Sequence, residues 1–431
     1  MMPNRANFKS IFVACSVLLA TAGLSNALSQ NIQPINTGTR TQAPIYRVAA
    51  KKPVRDLYID AKDMELQAEQ FVQQKKIPGM AMALVQNGRI LSARGYGITS
   101  TSKPQAIRPD TAFRIASLSK AFASTLTGIL VEEKALNWDT PVSMQLPAFK
   151  LKDYQASQRL TVSDILSHQV GLGKNTYDRD LESSVPYPVL AERLSNAPLA
   201  CAPGECYGYQ NIAYSLIGDM VFAVTGDFYS HQVEKKIFIP LGMKNATYGR
   251  DALMANENWA KPHVFNNNSW KAIIPNENYY HVPPAAGVNA SIQDMALWLN
   301  AQLGHRPDVL SSALLGKIQT PLVNTPSEIR AGWRRERLDH AAYGLGWRVF
   351  TYRGQKMLFH AGAVRGYGGL IAFLPEQDVG IVVLWNNDRT APAAFLATWM
   401  DRALGISGKD WLALNENLNE SLDVKAEPDQ D

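Results

Sequence analysis

Strand-like segments at the two ends of the chain, separated by a long helix-rich stretch, constrain the fold more than any other feature. Near the N-terminal end, apolar segments at 80–85 and 90–93 flank Asn87-Gly88, a dipeptide typical of a tight β-hairpin. Four further strand-like segments follow residue 343, at 344–351, 356–360, 370–374 and 379–385. We therefore predict an α/β fold (an α+β sandwich) in which strands from both ends form one antiparallel sheet flanked by helices.

The stretch between the two groups of strands predicts a separate, mostly helical lobe. Within it, apolar residues at 212–224 recur every three or four positions and end at Gly226, as in an amphipathic helix with a glycine cap. We predict that residues 132–284 form this inserted helical domain. The α/β domain would then comprise residues 56–131 and 285–408.

Residues 1–27 have the pattern of a secretory signal peptide. The basic residues Arg5 and Lys9 precede an apolar run at 11–24, which small and polar residues ending at Ala27 follow. We expect cleavage after Ala27 and export of the protein. An uncleaved membrane anchor is the alternative, although the run is short for a bilayer span.

Composition argues against several classes of function. The 431-residue chain carries a formal charge of +5 but no basic run with interleaved aromatic residues, so we expect no nucleic-acid partner. It contains no His-Glu-x-x-His zinc motif and no Gly-x-Gly-x-x-Gly nucleotide loop, so we predict neither metal nor cofactor. No stable membrane span is expected after signal removal. The polar segments 28–55 and 409–431 are predicted to be a flexible leader and an acidic tail.

Cys201 and Cys206 bracket an Ala-Pro-Gly-Glu turn. In an exported protein two thiols at this spacing favour a disulfide that stiffens the loop locally. A pair of free thiols is the alternative.

Ser117 and Lys120 form a Ser-x-x-Lys motif at the start of a predicted helix. Apolar residues from Leu118 to Leu130 fall at helical spacing, and Ser117 is a residue type that often begins a helix. Three-residue spacing places the amine and the hydroxyl on one helix face, which suits a serine nucleophile with a lysine partner. Another match, Ser100 to Lys103, lies in a polar run and begins no apolar helix.

Two later motifs carry groups that suit the same chemistry. Tyr209 and Asn211 form Tyr-x-Asn, in which a phenol next to a lysine can act as a base and an amide can orient the lysine. A half-buried aromatic residue and a helix cap are the alternative interpretation. His360 and Gly362 form His-x-Gly at the end of a strand, where the amide of Ala363 can point at an oxyanion.

Taken together and in this order, the three motifs resemble those of a serine hydrolase family. This family includes class C β-lactamases, penicillin-binding D,D-carboxypeptidases, D-aminopeptidases and related esterases. The resemblance covers most of residues 56–405 and implies a β-lactamase/transpeptidase-like fold. Its further landmarks are Leu166-Ser167-His168, Pro240-Leu241-Gly242-Met243, the segment 286–298 and Tyr343-Gly344-Leu345-Gly346-Trp347.

The resemblance also implies a role for each motif residue. It implies that Ser117 is the acylated nucleophile and that Lys120 and Tyr209 are the proton carriers. Asn211 would contact a substrate amide, and His360 would be the proton relay. The backbone amides of Ser117 and Ala363 would form the oxyanion hole.

The third motif departs from the class C β-lactamase pattern, which has Lys-Thr-Gly. Here His360 replaces the lysine and Ala361 removes a hydroxyl, so attraction for a substrate carboxylate should be weaker. Arg365 would restore an anion contact if it folds inward; a solvated loop charge is the alternative.

Three functions remain open on sequence grounds. The first is a periplasmic acyl-transfer hydrolase whose partner is a small-molecule or peptide substrate, either a D-amino-acid peptide or a β-lactam. The second is an esterase or amidase that uses the same residues. The third is a non-catalytic penicillin-binding relative.

Overall fold

The computed structural model describes residues 55–389, 391–407 and 409–414. The strands are β1 Gly79–Gln86, β2 Arg89–Gly97, β3 Ala112–Arg114, β4 Thr247–Tyr248, β5 His263–Asn266, β6 Ser269–Ala272, β7 Val288–Ser291, β8 Val323–Asn324, β9 Leu338–Tyr343, β10 Arg348–Tyr352, β11 Gln355–Val364, β12 Tyr367–Leu374 and β13 Val379–Trp385. The helices are α1 Tyr58–Gln74, α2 Ser119–Glu132, α3 Val142–Gln145, α4 Tyr154–Arg159, α5 Val162–Leu166, α6 Asp178–Glu182, α7 Tyr187–Arg193, α8 Ile212–Thr225, α9 Tyr229–Val233, α10 Ile239–Leu241, α11 Arg250–Ala255, α12 Pro283–Ala286, α13 Ile292–Gln302, α14 Ser312–Ile318, α15 Gly332–Arg337 and α16 Ala394–Leu404.

The main sheet has eight strands in the order β2-β1-β13-β12-β11-β10-β9-β8, and every neighbouring pair is antiparallel. The N-terminal hairpin therefore joins the C-terminal strands through the pairing of β1 with β13, where Met80 lies opposite Trp385. The predicted fold class is confirmed. A second sheet, β3-β7-β4, and a β5-β6 hairpin complete the strands of the described part of the chain.

Strand β1 shows how the sheet separates two cores. Met80, Met82 and Leu84 pack in a cluster with α1 and α16, whereas Ala81 and Ala83 pack in the larger cluster that contains α2, α8 and α13. All eight residues of β1 are buried because side chains on alternate faces each meet a helical layer. The central strands therefore position the helical lobe against one face of the sheet.

Helix α2 differs from its prediction. The sequence indicated one apolar stripe, but α2 is buried on nearly all sides, including its small polar residues Ser124, Thr125 and Thr127. Their hydroxyls are satisfied inside the core; Thr127 donates to the Ala123 carbonyl at 2.9 Å. A helix buried all round presents no polar face, so a stripe analysis underestimates its burial.

Several expected features lie partly or wholly outside the described residues. These are the signal peptide 1–27, the leader 28–55 except for its last residue, and the tail beyond residue 414. The division into domains at residues 132 and 284 stays a prediction. Strand β4 of the predicted helical domain pairs with β7 of the predicted α/β domain, so the two segments share a sheet. Among the residues described, no helix combines the length and the apolar character that a bilayer span requires.

Candidate active site

Ser117 lies in a tight 3₁₀ turn, Ala116–Leu118, immediately before α2. The α-helix itself begins at Ser119, with Leu118 at the capping position and no side-chain capping bond. Ala116 has φ +49°, a left-handed conformation that is strained for a residue with a Cβ. The Ser119 hydroxyl stabilises this turn by donating to the Ala116 carbonyl at 2.6 Å.

The amine of Lys120 lies at the base of the Ser117 turn. Its Nζ is 3.5 Å from Ser117 Oγ, and it donates to Asn211 Oδ1 at 2.6 Å and to the Ala285 carbonyl at 3.2 Å. The side chain is fully buried, and this burial lowers the pKa of Lys120 well below 10.5, with Arg348 adding to the shift and Asp178 opposing it. A neutral amine next to a serine hydroxyl is suited to accept its proton.

Asn211 connects Lys120 to a buried carboxylate. Its amide Nδ2 donates to Asp178 Oδ2 at 2.7 Å, which orients Oδ1 towards the lysine. Burial raises the pKa of Asp178 to about 6, while the bond from Asn211 and the charge of Lys120 oppose the shift. Asn211 is therefore more than a helix cap, and Asp178 was not foreseen because nothing local distinguishes it from other acidic residues.

Tyr209 places its ring above the lysine. The Lys120 Nζ lies 4.5 Å from the Tyr209 ring centroid, and the ring centroid of His168 lies 4.3 Å from that of Tyr209. His168 Nδ1 accepts from the Gln210 amide at 3.1 Å, so this buried imidazole holds the Tyr209 segment in position. The role of Tyr209 as proton carrier stays a prediction.

Strand β11 passes directly against the Ser117 turn. A methyl group at Gly362 would lie 2.5 Å from the Ile115 carbonyl oxygen and 2.9 Å from the Ser117 nitrogen. Only glycine permits this approach without displacing backbone. The next residue, Ala363, lines the same cavity as Ser117, which is the placement an oxyanion hole made from their two amides requires.

His360 lies behind the cavity wall and not on it. It is 1% exposed, its Nδ1 donates to the Ala361 carbonyl at 2.8 Å, and its Nε2 accepts from the Tyr343 hydroxyl at 3.2 Å. Burial, with smaller contributions from Arg348 and Lys120, lowers the pKa of His360 well below 6.5. The His360 side chain therefore does not line the cavity in which we expected it to contact a substrate. Its proton-relay role remains a prediction.

A cavity of about 1190 Å³ unites the remaining predicted residues. Ser117, Tyr209, Asn211, Ala363 and Arg365 all line it, and Arg365 is exposed. In the described part of the chain, no cluster of histidine, cysteine and acidic residues is arranged to hold a metal ion.

Two arginines that sequence reasoning missed also line this cavity. Arg348 is 4% exposed and pairs with Glu328 at 3.1 Å, and its Cζ lies 5.5 Å from the Tyr209 ring centroid. Its position directly after the Tyr343–Trp347 landmark could have indicated it. Arg114 lies within the segment that leads to Ser117 and is 2% exposed.

Cys201 and Cys206 form a disulfide, as the sequence predicted. The bridge closes the loop that precedes Tyr209. Just after this loop the Gly208 amide donates to the His168 carbonyl at 2.9 Å. The bridge therefore helps to fix the approach of the chain to the site.

The fold and the site together define a class of protein. A serine in a tight turn, a buried lysine one helical turn later and a strand of an antiparallel sheet alongside are consistent with a serine hydrolase of the penicillin-binding type. A family model described as Beta-lactamase matches residues 65–405, and the chain belongs to that family.

Individual relatives and a solved structure agree with this assignment. Unguisins hydrolase ungD' from Aspergillus campestris is 27% identical over 80% of this chain, and protein flp from Staphylococcus aureus is 26% identical over 74%. The chain spans 66% and 61% of these two relatives, a little under two thirds of their length. The octameric penicillin-binding protein homologue from Pyrococcus abyssi has the same fold, with a TM-score of 0.71, 24% identity and coverage of 80% of this chain and 78% of that one.

Proposed function

We propose that this protein is a serine hydrolase that forms an acyl-enzyme on Ser117 and cleaves amide bonds of D-amino-acid peptides or β-lactam-type substrates. One observation carries the proposal: the Ser117 hydroxyl lies 3.5 Å from a buried amine whose pKa is lowered by desolvation. The relative called unguisins hydrolase and the penicillin-binding homologue support the reaction class and the substrate class, respectively.

In the acylation step, neutral Lys120 accepts the Ser117 proton as Oγ bonds to the substrate carbonyl carbon. The carbonyl electron pair moves to oxygen, and the two backbone amides of Ser117 and Ala363 stabilise the resulting oxyanion. Collapse of this intermediate breaks the carbon–nitrogen bond. The leaving amine takes the proton that Lys120 acquired, which returns the lysine to its neutral state.

Deacylation repeats these steps with water in place of the serine. Water loses a proton to the Lys120 amine as it attacks the ester carbonyl. Ser117 then takes this proton from Lys120 as it leaves the carbonyl carbon. Asn211 holds the lysine in one orientation through both half-reactions, because its own amide is fixed by Asp178. Positioned proton carriers of this kind typically supply about a hundred- to ten-thousand-fold.

A second candidate, a carboxylesterase or amidase using the same residues, is favoured by the third motif. His360 is buried and its pKa is lowered, so this motif offers no permanent cation for a substrate carboxylate. A neutral ester requires no such cation, and an ester's leaving group departs more easily than an amine.

Turnover of a four-compound panel separates these functions. The compounds are nitrocefin, an acyl-D-Ala-D-Ala peptide, a D-aminoacyl anilide and a short acyl ester, each tested with wild type and Ser117→Ala. We expect turnover of at least one amide, abolished in the variant. Turnover of the ester alone would favour the esterase, and an adduct without turnover would favour a non-catalytic penicillin binder. Turnover that survives in Ser117→Ala would overturn the proposal.

We also propose that the protein works in an exported, oxidising compartment, the periplasm. The proposal is supported by the disulfide between Cys201 and Cys206, since disulfides persist in oxidising environments. N-terminal sequencing of the mature protein should begin at Leu28, the residue after the expected cleavage site. A mature chain that retains residues 1–27, with Cys201 and Cys206 both alkylatable, would contradict it.

A further inference from the structure

His168 is a fully buried histidine that packs against residues of the proposed reaction. It is 0% exposed, and its ring centroid lies 4.3 Å from that of Tyr209 and 5.0 Å from that of Tyr214. The Tyr214 hydroxyl donates to the Lys120 carbonyl at 2.8 Å. The imidazole therefore contacts both the ring of the predicted proton carrier and a side chain that is bonded to the backbone of the lysine.

The backbone on either side of Tyr209 is hydrogen-bonded to His168. The Gly208 amide donates to the His168 carbonyl at 2.9 Å, and the Gln210 amide donates to His168 Nδ1 at 3.1 Å. The Tyr209 carbonyl accepts from the Asn175 amide at 2.8 Å. Because bonds are made directly before, at and after Tyr209, the backbone that carries its ring is held in one position.

The backbone of His168 is itself held in an uncommon conformation. Its φ is +59°, in the left-handed region that residues with a Cβ rarely adopt. Such conformations persist only where the surrounding structure enforces them, and they cluster at functional sites. Since the carbonyl and the side chain of His168 both accept from the Tyr209 segment, the strained turn and this segment stabilise each other.

The hydrogen bonds of the His168 ring also determine its protonation. Because a backbone amide can only donate, Nδ1 accepts from Gln210 and carries no proton, which leaves the proton of the neutral ring on Nε2. Nε2 has no hydrogen-bond partner among the residues described. Burial lowers the pKa of His168 well below 6.5, so the ring stays neutral. An occupied Nδ1 and a partnerless Nε2–H give this imidazole no route for the Ser117 proton.

We propose that His168 is a positioning residue for acylation, which holds the Tyr209 ring against the Lys120 amine and carries no proton itself. Its Nδ1 supplies what an apolar side chain of similar size would lack, an acceptor for the Gln210 amide. The centroid of the ring that it fixes lies 4.5 Å from Lys120 Nζ, and a misplacement of about 1 Å in a reacting group can slow a reaction about a hundredfold. The inference rests on the proposed function and on the predicted role of Tyr209 as a proton carrier.

Two substitutions separate positioning from proton transfer. His168→Leu removes the acceptor, whereas His168→Asn keeps an oxygen at about the place of Nδ1 and readily adopts the left-handed conformation. We expect stopped-flow acylation of Ser117 by a chromogenic ester to slow by about ten- to a hundredfold in His168→Leu and by less than about threefold in His168→Asn. Asparagine does not titrate, so equal losses in both variants would overturn the inference, as would a wild-type rate in His168→Leu.

Action through Tyr209 also predicts that the two residues are coupled. In a Tyr209→Phe background no phenolic proton remains to be positioned, so His168→Leu should slow acylation by less than about threefold there. A full ten- to hundredfold loss in that background would overturn the inference. Phe395→Ala is the control for a general loss of stability, because Phe395 packs on the other face of the sheet from Tyr214, and it should acylate at the wild-type rate.

Hydrogen exchange tests the bonds of His168 without requiring turnover. The Gln210 amide should exchange at least about tenfold faster in His168→Leu than in wild type, and it should stay protected in His168→Asn. Unchanged exchange in His168→Leu would overturn the inference. If that variant fails to fold, His168→Gln replaces it, because its side-chain oxygen lies one bond farther from the backbone. An absence of acylation in wild type would count against the proposed function, and the exchange result would still decide whether His168 holds Tyr209.

Discussion

At the scale of single residues, burial is the dominant influence on the chemistry of the site. Desolvation lowers the pKa of Lys120 and raises that of Asp178 to about 6, and each group opposes the shift of the other. Asn211 links the two side chains: it accepts a hydrogen bond from Lys120 at 2.6 Å and donates one to Asp178 at 2.7 Å. The site therefore offers a buried amine whose position and basicity depend on a carboxylate on another helix.

Substitution of Lys120 by arginine should abolish the proposed base and place a permanent positive charge at its position. Arginine does not lose its proton, so we expect acylation to slow by about a hundred- to ten-thousand-fold, measured by stopped-flow with a chromogenic ester. In wild type, the rate should rise with pH as Lys120 is deprotonated, with a midpoint below 10.5. Lys134→Arg, at an exposed position just beyond α2, is the matched control and should behave as wild type. An unchanged rate in Lys120→Arg would remove the lysine from this role.

Asp178→Asn should move the pH–rate profile of acylation to lower pH. The Asp178 charge raises the pKa of Lys120, so its removal lowers that pKa further and leaves the amine neutral at lower pH. The midpoint is read from acylation rates measured over a pH series for both proteins. A midpoint that stays in place or moves to higher pH would show that Asp178 has no such influence.

The same variant has a predicted effect on stability. The folded-state pKa of Asp178, about 6, lies above its ordinary value of 3.8, so the folded protein holds the proton more tightly than the unfolded chain. Wild type should therefore lose about 3 kcal/mol relative to Asp178→Asn as the pH rises from about 4 to about 7. Urea unfolding at several pH values measures this difference; a difference independent of pH would contradict it.

At the scale of elements, the site depends on how closely β11 approaches the Ser117 turn. Gly362 allows this contact, and Ala116 adopts a strained conformation beside it. The turn and the strand come from segments far apart in the chain, and neither could be positioned without the other. The small residues Gly362 in the strand and Ala116 in the turn therefore determine the geometry of the proposed reaction centre more than the spacing of apolar residues does.

Gly362→Ala should impair acylation and folding together. The added methyl group meets backbone atoms of Ile115 and Ser117, so the strand must shift away from the turn. We expect a loss of about 1–3 kcal/mol in stability and of about a hundredfold in acylation rate, measured by denaturant unfolding and stopped-flow. Gly316→Ala is the control, because a methyl group there would meet no atom of another element within 4 Å, and it should leave the rate unchanged. Wild-type rates in Gly362→Ala would show that the close approach is not required.

The sequence predicted some elements correctly, but it began a strand at 344 where β10 begins at Arg348, and it missed β9. Strand β13 has the predicted bounds of 379–385, and Gly226 caps α8 in the left-handed conformation expected of a glycine cap. Strands β3, β4 and β7 have only two to four residues, which is too short for an alternating pattern to emerge. They were missed for that reason.

The sequence indicated candidate site residues where their chemistry is local, and it did not indicate those whose contacts depend on the fold. The motif residues could be named because their chemistry and spacing are local, and Lys120 does meet Asn211, 91 positions away. Asp178, Arg114 and Arg348 could not be foreseen, because their importance comes from burial and from partners that only the folded chain brings near. The placement of His360 behind the wall likewise depends on Tyr343, which lies on another strand.

At the scale of the whole molecule, the two ends of the described chain form one structural layer. Helices α1 and α16 cover the same face of the sheet, and Phe71 meets Phe395 edge to face with ring centroids 5.2 Å apart. Strand β1 lies beneath them, paired with β13. The N-terminal and C-terminal segments should therefore be stabilised together.

Phe395→Ala should destabilise both ends of the fold. Loss of a fully buried aromatic side chain typically costs about 3–5 kcal/mol, and the cavity it leaves is shared by α1 and α16. Hydrogen exchange should accelerate in β1 and α1 as well as in α16. Phe265→Ala, at an exposed position in the β5-β6 hairpin, should leave exchange in these elements unchanged. Acceleration confined to α16 would contradict the shared layer.

The most direct test of acylation at Ser117 is the position of the covalent adduct. Wild type and Ser117→Ala would be exposed briefly to each compound that acylates, quenched in acid, digested and mapped by mass spectrometry. We predict a single acyl group on Ser117 in wild type and none in the variant. An adduct on another residue, or equal labelling of Ser117→Ala, would contradict the assignment of Ser117 as the nucleophile.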